Sequence, residues 1–186
     1  NKFLWMIIEY SSLFRYNLLT GTMESIKLPQ FNNVKYYQSL EFSKNQRHLY
    51  IGTNNGILIY DTFTSKLNHL NLDSRINVSD IEEDKFGRLW VSGGNGIFCI
   101  EKPLLDGYYI KYKLNKQNSP LLLSNWIQSF RIYNNIIYAC TNKGLNCITF
   151  DENDIRHISY YTTSDSLSNR SMSSEYIVTV DVVNDS

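Results

Sequence analysis

The sequence predicts an all-β protein built from a repeated four-stranded antiparallel unit. Aromatic residues make up 14% of the 186 residues, led by 14 Tyr and 9 Phe, and only 19% of the residues are charged. This composition favours strands and argues against a disordered chain. The apolar segments are also short and are interrupted by turn residues every 8–12 positions or so, which is typical of strands and not of helices.

The same local pattern occurs three times along the chain, and a weaker copy without the glycine opens the chain. An apolar, an aromatic and an apolar residue are followed by a small residue, a turn, a glycine and further apolar residues. The aromatic anchors are spaced 45, 40 and 48 residues apart, which agrees with a propeller blade of about 40–50 residues. We expect each turn glycine to adopt a positive φ at a hairpin. The predicted anchors are Trp5, Tyr50, Trp90 and Tyr138, and the predicted hairpin glycines are Gly56, Gly96 and Gly144.

The clearest copy shows the strands of one unit in order. Val78–Ile81 is followed by a turn that we expect to be solvated at Asp84, and then by Leu89–Val91, Ile97–Ile100 and Tyr108–Tyr112. One such sheet cannot bury both of its faces alone, so neighbouring sheets must stack with the anchor ring between them. The sequence therefore predicts a partial β-propeller with repeats at about 1–30, 31–72, 73–114 and 115–161. The next blade starts at 162–186, with Tyr176–Val183 as its first strand.

The run Val78–Ile97 resembles the two-component regulator propeller repeat through its Glu83-Asp84, Gly87 and Leu89-Trp90 positions. A second resemblance is the segment Ser164–Asn169, which is similar to the Asp-Gly-Leu-Ser-Asn link that introduces each blade of that family. Two departures are that Tyr replaces Trp at positions 50 and 138, and that the segment 132–135 lacks the acidic turn.

This resemblance implies a sensor role. Such repeats form the periplasmic sensor of Bacteroides-type hybrid two-component histidine kinases, anchored in the inner membrane and commonly carbohydrate-responsive. The family implies two propellers per sensor, an immunoglobulin-like domain, a membrane helix and a kinase. On this reading the chain is about four blades of a seven-bladed ring, and its partners are the rest of the sensor chain, a homodimer partner and an oligosaccharide ligand.

The charge of the chain argues against two classes of partner, and its cysteine content argues against a disulfide framework. The chain has 18 Lys plus Arg against 18 Asp plus Glu, and this zero net charge argues against a nucleic-acid binder or a polybasic membrane module. No apolar run approaches the roughly 20 residues of a membrane-spanning helix. Cys99, Cys140 and Cys147 form no CxxC motif, and we expect three buried thiols or, alternatively, a Cys140–Cys147 cross-link in an oxidising compartment.

No motif in the sequence predicts catalysis. The glycine run 93–96 is followed by a strand and lacks the Lys and Ser or Thr of a phosphate-binding loop. The acidic runs 82–84 and 151–154 have no recognisable carboxylate partner and no complete calcium loop. We therefore expect no catalytic residue, no metal and no cofactor in this chain.

A ligand site is expected on the links that lead into the first strand of each blade. Two of these links, 115–126 and 162–176, are long, and long loops often carry function. Sugars stack on aromatic rings and exchange hydrogen bonds with planar polar groups. The same side chains could instead pack between blades. The candidate ligand-binding residues are Tyr36, Tyr37, Arg75, Asn125, Trp126, Arg131 and Tyr176.

Two other classes of function remain compatible with these repeats. One is a propeller-type carbohydrate-active enzyme, whose catalytic groups would come from distant blades. The other is a propeller scaffold for protein partners.

Overall fold

The computed structural model of the chain describes residues 2–8, 12–29, 31, 33–72, 76–104, 107–163, 174 and 176–183. Within these residues every regular element is a β-strand, and no helix is long and apolar enough to cross a membrane. The candidate residue Arg75 and the link Ser164–Asn169 lie outside the described residues.

The strands form four antiparallel sheets in which neighbours in sequence are neighbours in space. Sheet I has three described strands in the order β1-β2-β3, and sheets II, III and IV have four each. This arrangement confirms the prediction of consecutive four-stranded antiparallel units. The bounds are β1 (Phe3–Ile7), β2 (Leu13–Asn17) and β3 (Met23–Ile26) in sheet I; β4 (Tyr37–Phe42), β5 (His48–Thr53), β6 (Gly56–Asp61) and β7 (Leu67–Leu70) in sheet II; β8 (Val78–Glu83), β9 (Leu89–Gly93), β10 (Gly96–Glu101) and β11 (Tyr109–Leu114) in sheet III; and β12 (Ile127–Tyr133), β13 (Ile136–Thr141), β14 (Gly144–Phe150) and β15 (Ile155–Tyr161) in sheet IV.

The first compact unit, residues 1–78, contains sheets I and II. Leu13 of sheet I and Leu49, Ile51 and Leu58 of sheet II share one buried apolar core. Trp5 packs against this core, with its ring centroid 6.0 Å from the ring of Phe42 and 6.0 Å from that of Tyr60. Tyr50, the anchor of sheet II, is fully buried. Sheets I and II therefore stack face to face.

The second unit, residues 79–186, contains sheet IV and nearly all of sheet III. The anchor Trp90 is fully buried and lies directly opposite Cys99 on the neighbouring strand. Its ring centroid is 5.1 Å from that of Phe150 in sheet IV. Phe130 of sheet IV belongs to the same core. The Trp90 ring thus fills the space between two stacked sheets, whereas Tyr138 of sheet IV is only partly buried.

Each hairpin glycine has a positive φ: 85° at Gly56, 107° at Gly96 and 126° at Gly144. A Cβ atom at any of these positions would overlap a backbone carbonyl oxygen of the outermost strand of the same sheet. The glycines are required both by the turn and by this close approach.

Two local expectations differ from the structure. Asp84 does sit in a turn, but it is buried and not solvated, because Arg88 and Trp90 fold over its carboxylate. Residues 176–183 were expected to form a strand, yet they are assigned no strand pairing. A single backbone hydrogen bond, from Ile177 N to Thr141 O at 3.1 Å, ties this segment to sheet IV. The three cysteines are free and buried.

Candidate functional site

The link before β12 is held by its own hydrogen bonds. Asn125 Oδ1 accepts a bond from Lys116 N at 2.7 Å, and the Asn125 carbonyl accepts one from Gly96 N at 2.8 Å. Leu123 N donates to Asn146 Oδ1 at 2.9 Å. The side-chain oxygen of Asn125, a residue predicted to bind ligand, closes the loop on Lys116, and its carbonyl ties the loop to sheet III.

Trp126 and Gln128 form an exposed aromatic–amide pair at the start of β12. The Trp126 side chain is 57% exposed, and its indole N–H donates to Gln128 Oε1 at 3.1 Å. The backbone N–H of Trp126 donates to Ser124 Oγ at 3.0 Å, which fixes the position of the residue. A flat ring beside a planar amide can stack on an apolar ligand face and exchange hydrogen bonds at its edge. Gln128 was not among the residues predicted from the sequence, although Arg131 of the same strand was.

Arg131 is committed to contacts within the chain. Its Nη1 donates to the Phe130 carbonyl at 2.8 Å and lies 3.4 Å from Asp80 Oδ2, and its Nε lies 3.9 Å from Asp181 Oδ1. Its side chain is partly exposed. Tyr176 is 58% exposed.

Two carboxylates on β8 bind the backbone of β12. Asp80 Oδ2 accepts a hydrogen bond from Phe130 N at 3.0 Å, and Glu82 Oε2 accepts one from Ile132 N at 2.8 Å. Burial raises the pKa of Asp80, although the bond from Phe130 N and the nearby Arg131 oppose that rise. The local sequence predicts a turn at residues 82–84 and does not indicate these bonds, because their partners lie about 50 residues away along the chain.

In the first unit, the two predicted tyrosines differ in their surroundings. The Tyr37 ring packs against the core of sheets I and II, and this burial raises the pKa of Tyr37. The backbone N–H of Tyr36 donates to Asn54 Oδ1 at 3.2 Å. Tyr37 therefore serves packing, while Tyr36 lies where the link is bonded to the β5–β6 hairpin.

The first unit also contains a cleft that the sequence analysis did not predict. Its volume is about 520 Å³, and it lies at the end of β4 opposite Tyr37. The Arg15 guanidinium lies 4.7 Å from the ring centre of Phe3 and 5.6 Å from that of Trp5, and it is paired with Glu24. The lining residues come from positions too far apart in sequence for a motif to connect them: Lys2, Phe3, Trp5, Arg15, Leu18, Phe42, Gln46, Thr62 and Phe63.

Asp151 serves structure in the β14–β15 turn. Asp151 Oδ1 accepts hydrogen bonds from the backbone N–H groups of Asn153 and Asp154, and Asp151 also pairs with Arg156. These contacts lower the pKa of Asp151 to about 2. Among the described residues there is no group of His, Cys, Asp and Glu side chains that could hold a metal ion.

Two comparisons with known proteins found nothing: no family model and no curated protein matches this sequence. Comparison with solved structures found many matches. The extracellular domain of the hybrid two-component system BT3049 from Bacteroides thetaiotaomicron matches 90% of this chain, with a TM-score of 0.68 and 18% identity. The extracellular domain of BT4673 from the same organism matches 94% of the chain, with a TM-score of 0.56 and 14% identity.

A third match is the β-propeller domain of Swd1 from Myceliophteria thermophila, with 13% identity, a TM-score of 0.63 and 84% of this chain covered. The chain has a β-propeller fold. The propeller neighbours include enzymes, since virginiamycin B lyase from Staphylococcus aureus matches 84% of the chain with a TM-score of 0.62 and 18% identity. This chain spans 22% of the BT3049 domain, 30% of the BT4673 domain, 50% of the lyase and 55% of the Swd1 domain.

Proposed function

We propose that this propeller chain is part of the periplasmic sensor of a hybrid two-component regulator and that it responds to an oligosaccharide. The observation that carries the sensor role is its structural match to the extracellular domains of BT3049 and BT4673 over 90% or more of its length. The carbohydrate ligand is supported by the chemistry of Trp126 and Gln128, an exposed ring beside an amide. The chain itself carries no catalytic step in this proposal.

The same region offers a route by which binding could be transmitted. Trp126 directly precedes β12, and β12 contacts the segment 176–183 through Ser129 Oγ, which donates to the Val178 carbonyl at 3.1 Å. Arg131 on the same strand faces Asp181. A sugar that binds Trp126 and Gln128 would stabilise one conformation at the start of β12. Because β12 contacts residues 176–183, binding would also shift the population of conformations of that segment.

Calorimetry with a panel of host and plant glycans tests the proposal. We expect one glycan class to bind, and the Trp126→Ala variant to lose at least about tenfold in affinity, because stacking area at a central aromatic residue dominates such sites. Tyr133→Ala is the matched control, since Tyr133 is an exposed aromatic residue at the opposite end of the same strand. Equal affinities of the two variants would overturn the assignment of Trp126.

The complete reading frame tests the sensor role separately from the ligand. We expect it to encode a signal peptide, a membrane helix and a histidine kinase. A reading frame that encodes a cytoplasmic protein without a kinase would contradict the sensor role.

An enzyme is the second candidate, because the lyase from Staphylococcus aureus shares the fold. Incubation of the purified chain with each bound glycan, followed by product analysis, separates the two functions. A sensor returns the glycan unchanged, whereas any catalytic turnover would favour the enzyme.

A further inference from the structure

The amide groups beside Trp126 are left with unused donors. Gln128 Oε1 accepts a hydrogen bond from Trp126 Nε1 at 3.1 Å. Asn125 Oδ1 accepts from Lys116 N at 2.7 Å, and Asn125 Nδ2 donates to Gln117 Oε1 at 3.5 Å. Each amide oxygen is therefore in use, whereas the NH2 groups of Gln117 and Gln128 have no acceptor among the described residues. The surroundings of the exposed ring offer N–H groups to a ligand.

Three loops at one end of sheets III and IV form a continuous rim around these amides. Gly96 N of the β9–β10 hairpin donates to the Asn125 carbonyl of the link at 2.8 Å. Ile127, two residues further on, pairs with Thr141, where the β13–β14 hairpin begins. The rim consists of residues 92–96, 115–128 and 141–144.

The rim is cationic. Its three segments contain Lys116 and Lys143 and no acidic residue. Both lysines are exposed, and in the described part of the chain neither pairs with a carboxylate. Lys116 Nζ donates to the Leu123 carbonyl at 3.3 Å, and its remaining N–H groups are free to bind a ligand. The described acidic turn residues of sheets III and IV lie at the opposite end, at Asp84 and at 151–154. The rim therefore attracts anions.

A carboxylate fits this set of donors better than a hydroxyl group does. A sugar hydroxyl both donates and accepts, so its own O–H group would compete for amide oxygens that are already bonded. A carboxylate only accepts, and its charge strengthens its hydrogen bonds to amide N–H groups and to an ammonium. In a uronic acid that stacks flat on Trp126, the carboxylate points outwards from the edge of the sugar ring. The Gln128 amide lies at the corresponding edge of the indole.

We propose that this rim binds an acidic oligosaccharide, in which one sugar ring stacks on Trp126 and the carboxylates of uronic acid residues bind the amide N–H groups and lysines of the rim. The inference rests on the proposed function and narrows its ligand to one class of sugar. Because both lysines are exposed, each contributes modestly to affinity, and the two act together with the amides.

Calorimetry with short oligouronates from pectin, alginate and hyaluronan, each measured beside its methyl ester, tests the proposal. The ester keeps the ring and its hydroxyl groups and removes the charge. We expect one oligouronate to bind, its methyl ester to bind at least about tenfold more weakly, and added salt to weaken only the acid. Equal binding of acid and ester, or tighter binding of a sulfated glycan, would overturn the proposal.

The same titrations separate this proposal from the proposed function. Neutral glycans that bind through Trp126, while no oligouronate binds, would overturn the acidic ligand and leave the sugar-binding role intact. The absence of binding by every glycan would overturn both.

Two double variants with the same change in charge locate the site. Lys116→Gln with Lys143→Gln removes the cations of the rim, and we expect the affinity for the oligouronate to fall about tenfold, since each exposed ion pair contributes a few-fold. Lys85→Gln with Lys102→Gln removes two exposed lysines at the opposite end and should bind like the unaltered chain. Equal affinities of the two double variants for the oligouronate would contradict this placement.

Discussion

At the scale of single residues, the buried group formed by Asp84, Arg88 and Trp90 stabilises the second unit. Asp84 Oδ2 accepts bonds from Arg88 Nε at 2.6 Å and from Trp90 Nε1 at 2.9 Å, and Asp84 Oδ1 accepts the backbone N–H of Phe86 at 2.9 Å. The sequence indicates the turn, because Asp84 and Gly87 are turn residues. It does not indicate the burial, because the carbonyls that receive the Arg88 guanidinium lie at Asp151 and Glu152.

Removing the Asp84 carboxylate should strongly destabilise the fold. Asp84→Ala leaves the Arg88 guanidinium buried beside no counter-charge, so we expect the free energy of unfolding to fall by about 3–5 kcal/mol. Urea denaturation followed by tryptophan fluorescence measures this loss. Arg156→Ala is the control, since its pair with Asp151 is exposed and its loss should leave the midpoint unchanged. Similar midpoints for the two variants would contradict the structural role of Asp84.

At the scale of elements, the hairpins were predictable because their requirements are local. The short apolar segments and the glycine at the turn indicate the β9–β10 hairpin without knowledge of any other part of the chain. The segment 176–183 shows the opposite case. Its alternating Val residues suit a strand, but a strand also needs a neighbouring ladder. In the described residues, Ile177 N is the sole backbone donor from this segment to sheet IV.

One glycine pair within a single turn tests this view of the hairpin. Gly96→Ala forces a side chain into a positive φ and against the Leu114 carbonyl, so we expect a loss of about 1–3 kcal/mol in stability. Gly94→Ala changes the same turn where a Cβ would meet nothing within 4 Å, and stability should be retained. Thermal unfolding of both variants by circular dichroism measures the difference. Equal melting temperatures would count against the steric explanation.

At the scale of the whole molecule, the fold was more predictable than the site. The sheets could be predicted because the same sequence pattern occurs once in each of them. The residues of a binding site occur only once in the chain, so no repeated pattern identifies them. Tyr37 packs in the core and Asn125 holds its loop, while the cleft brings Phe3 of β1 together with Phe63 of the β6–β7 turn. The local sequence could indicate Trp126 as a candidate residue. It could not show which polar side chains nearby already form hydrogen bonds within the chain.

The reactivity of the three buried cysteines tests whether solvent is excluded from the interior of sheets III and IV. Burial raises the pKa of Cys99 to about 12 and also raises the pKa values of Cys140 and Cys147. Since the thiolate is the reactive form, we expect no thiol to react with a disulfide reagent in the native chain at pH 8, and three to react in denaturant. A single reactive thiol in denaturant would instead indicate a Cys140–Cys147 bond.

The carboxylates of β8 make a contact whose two sides depend differently on the sequence. Asp80 and Glu82 bind the N–H groups of Phe130 and Ile132, and every residue except proline supplies such a group. This contact therefore depends on the side chains of β8 but only on the backbone of β12. Replacing Asp80 or Glu82 removes a bond between the two strands, whereas replacing the side chain of Gln128 leaves both bonds in place.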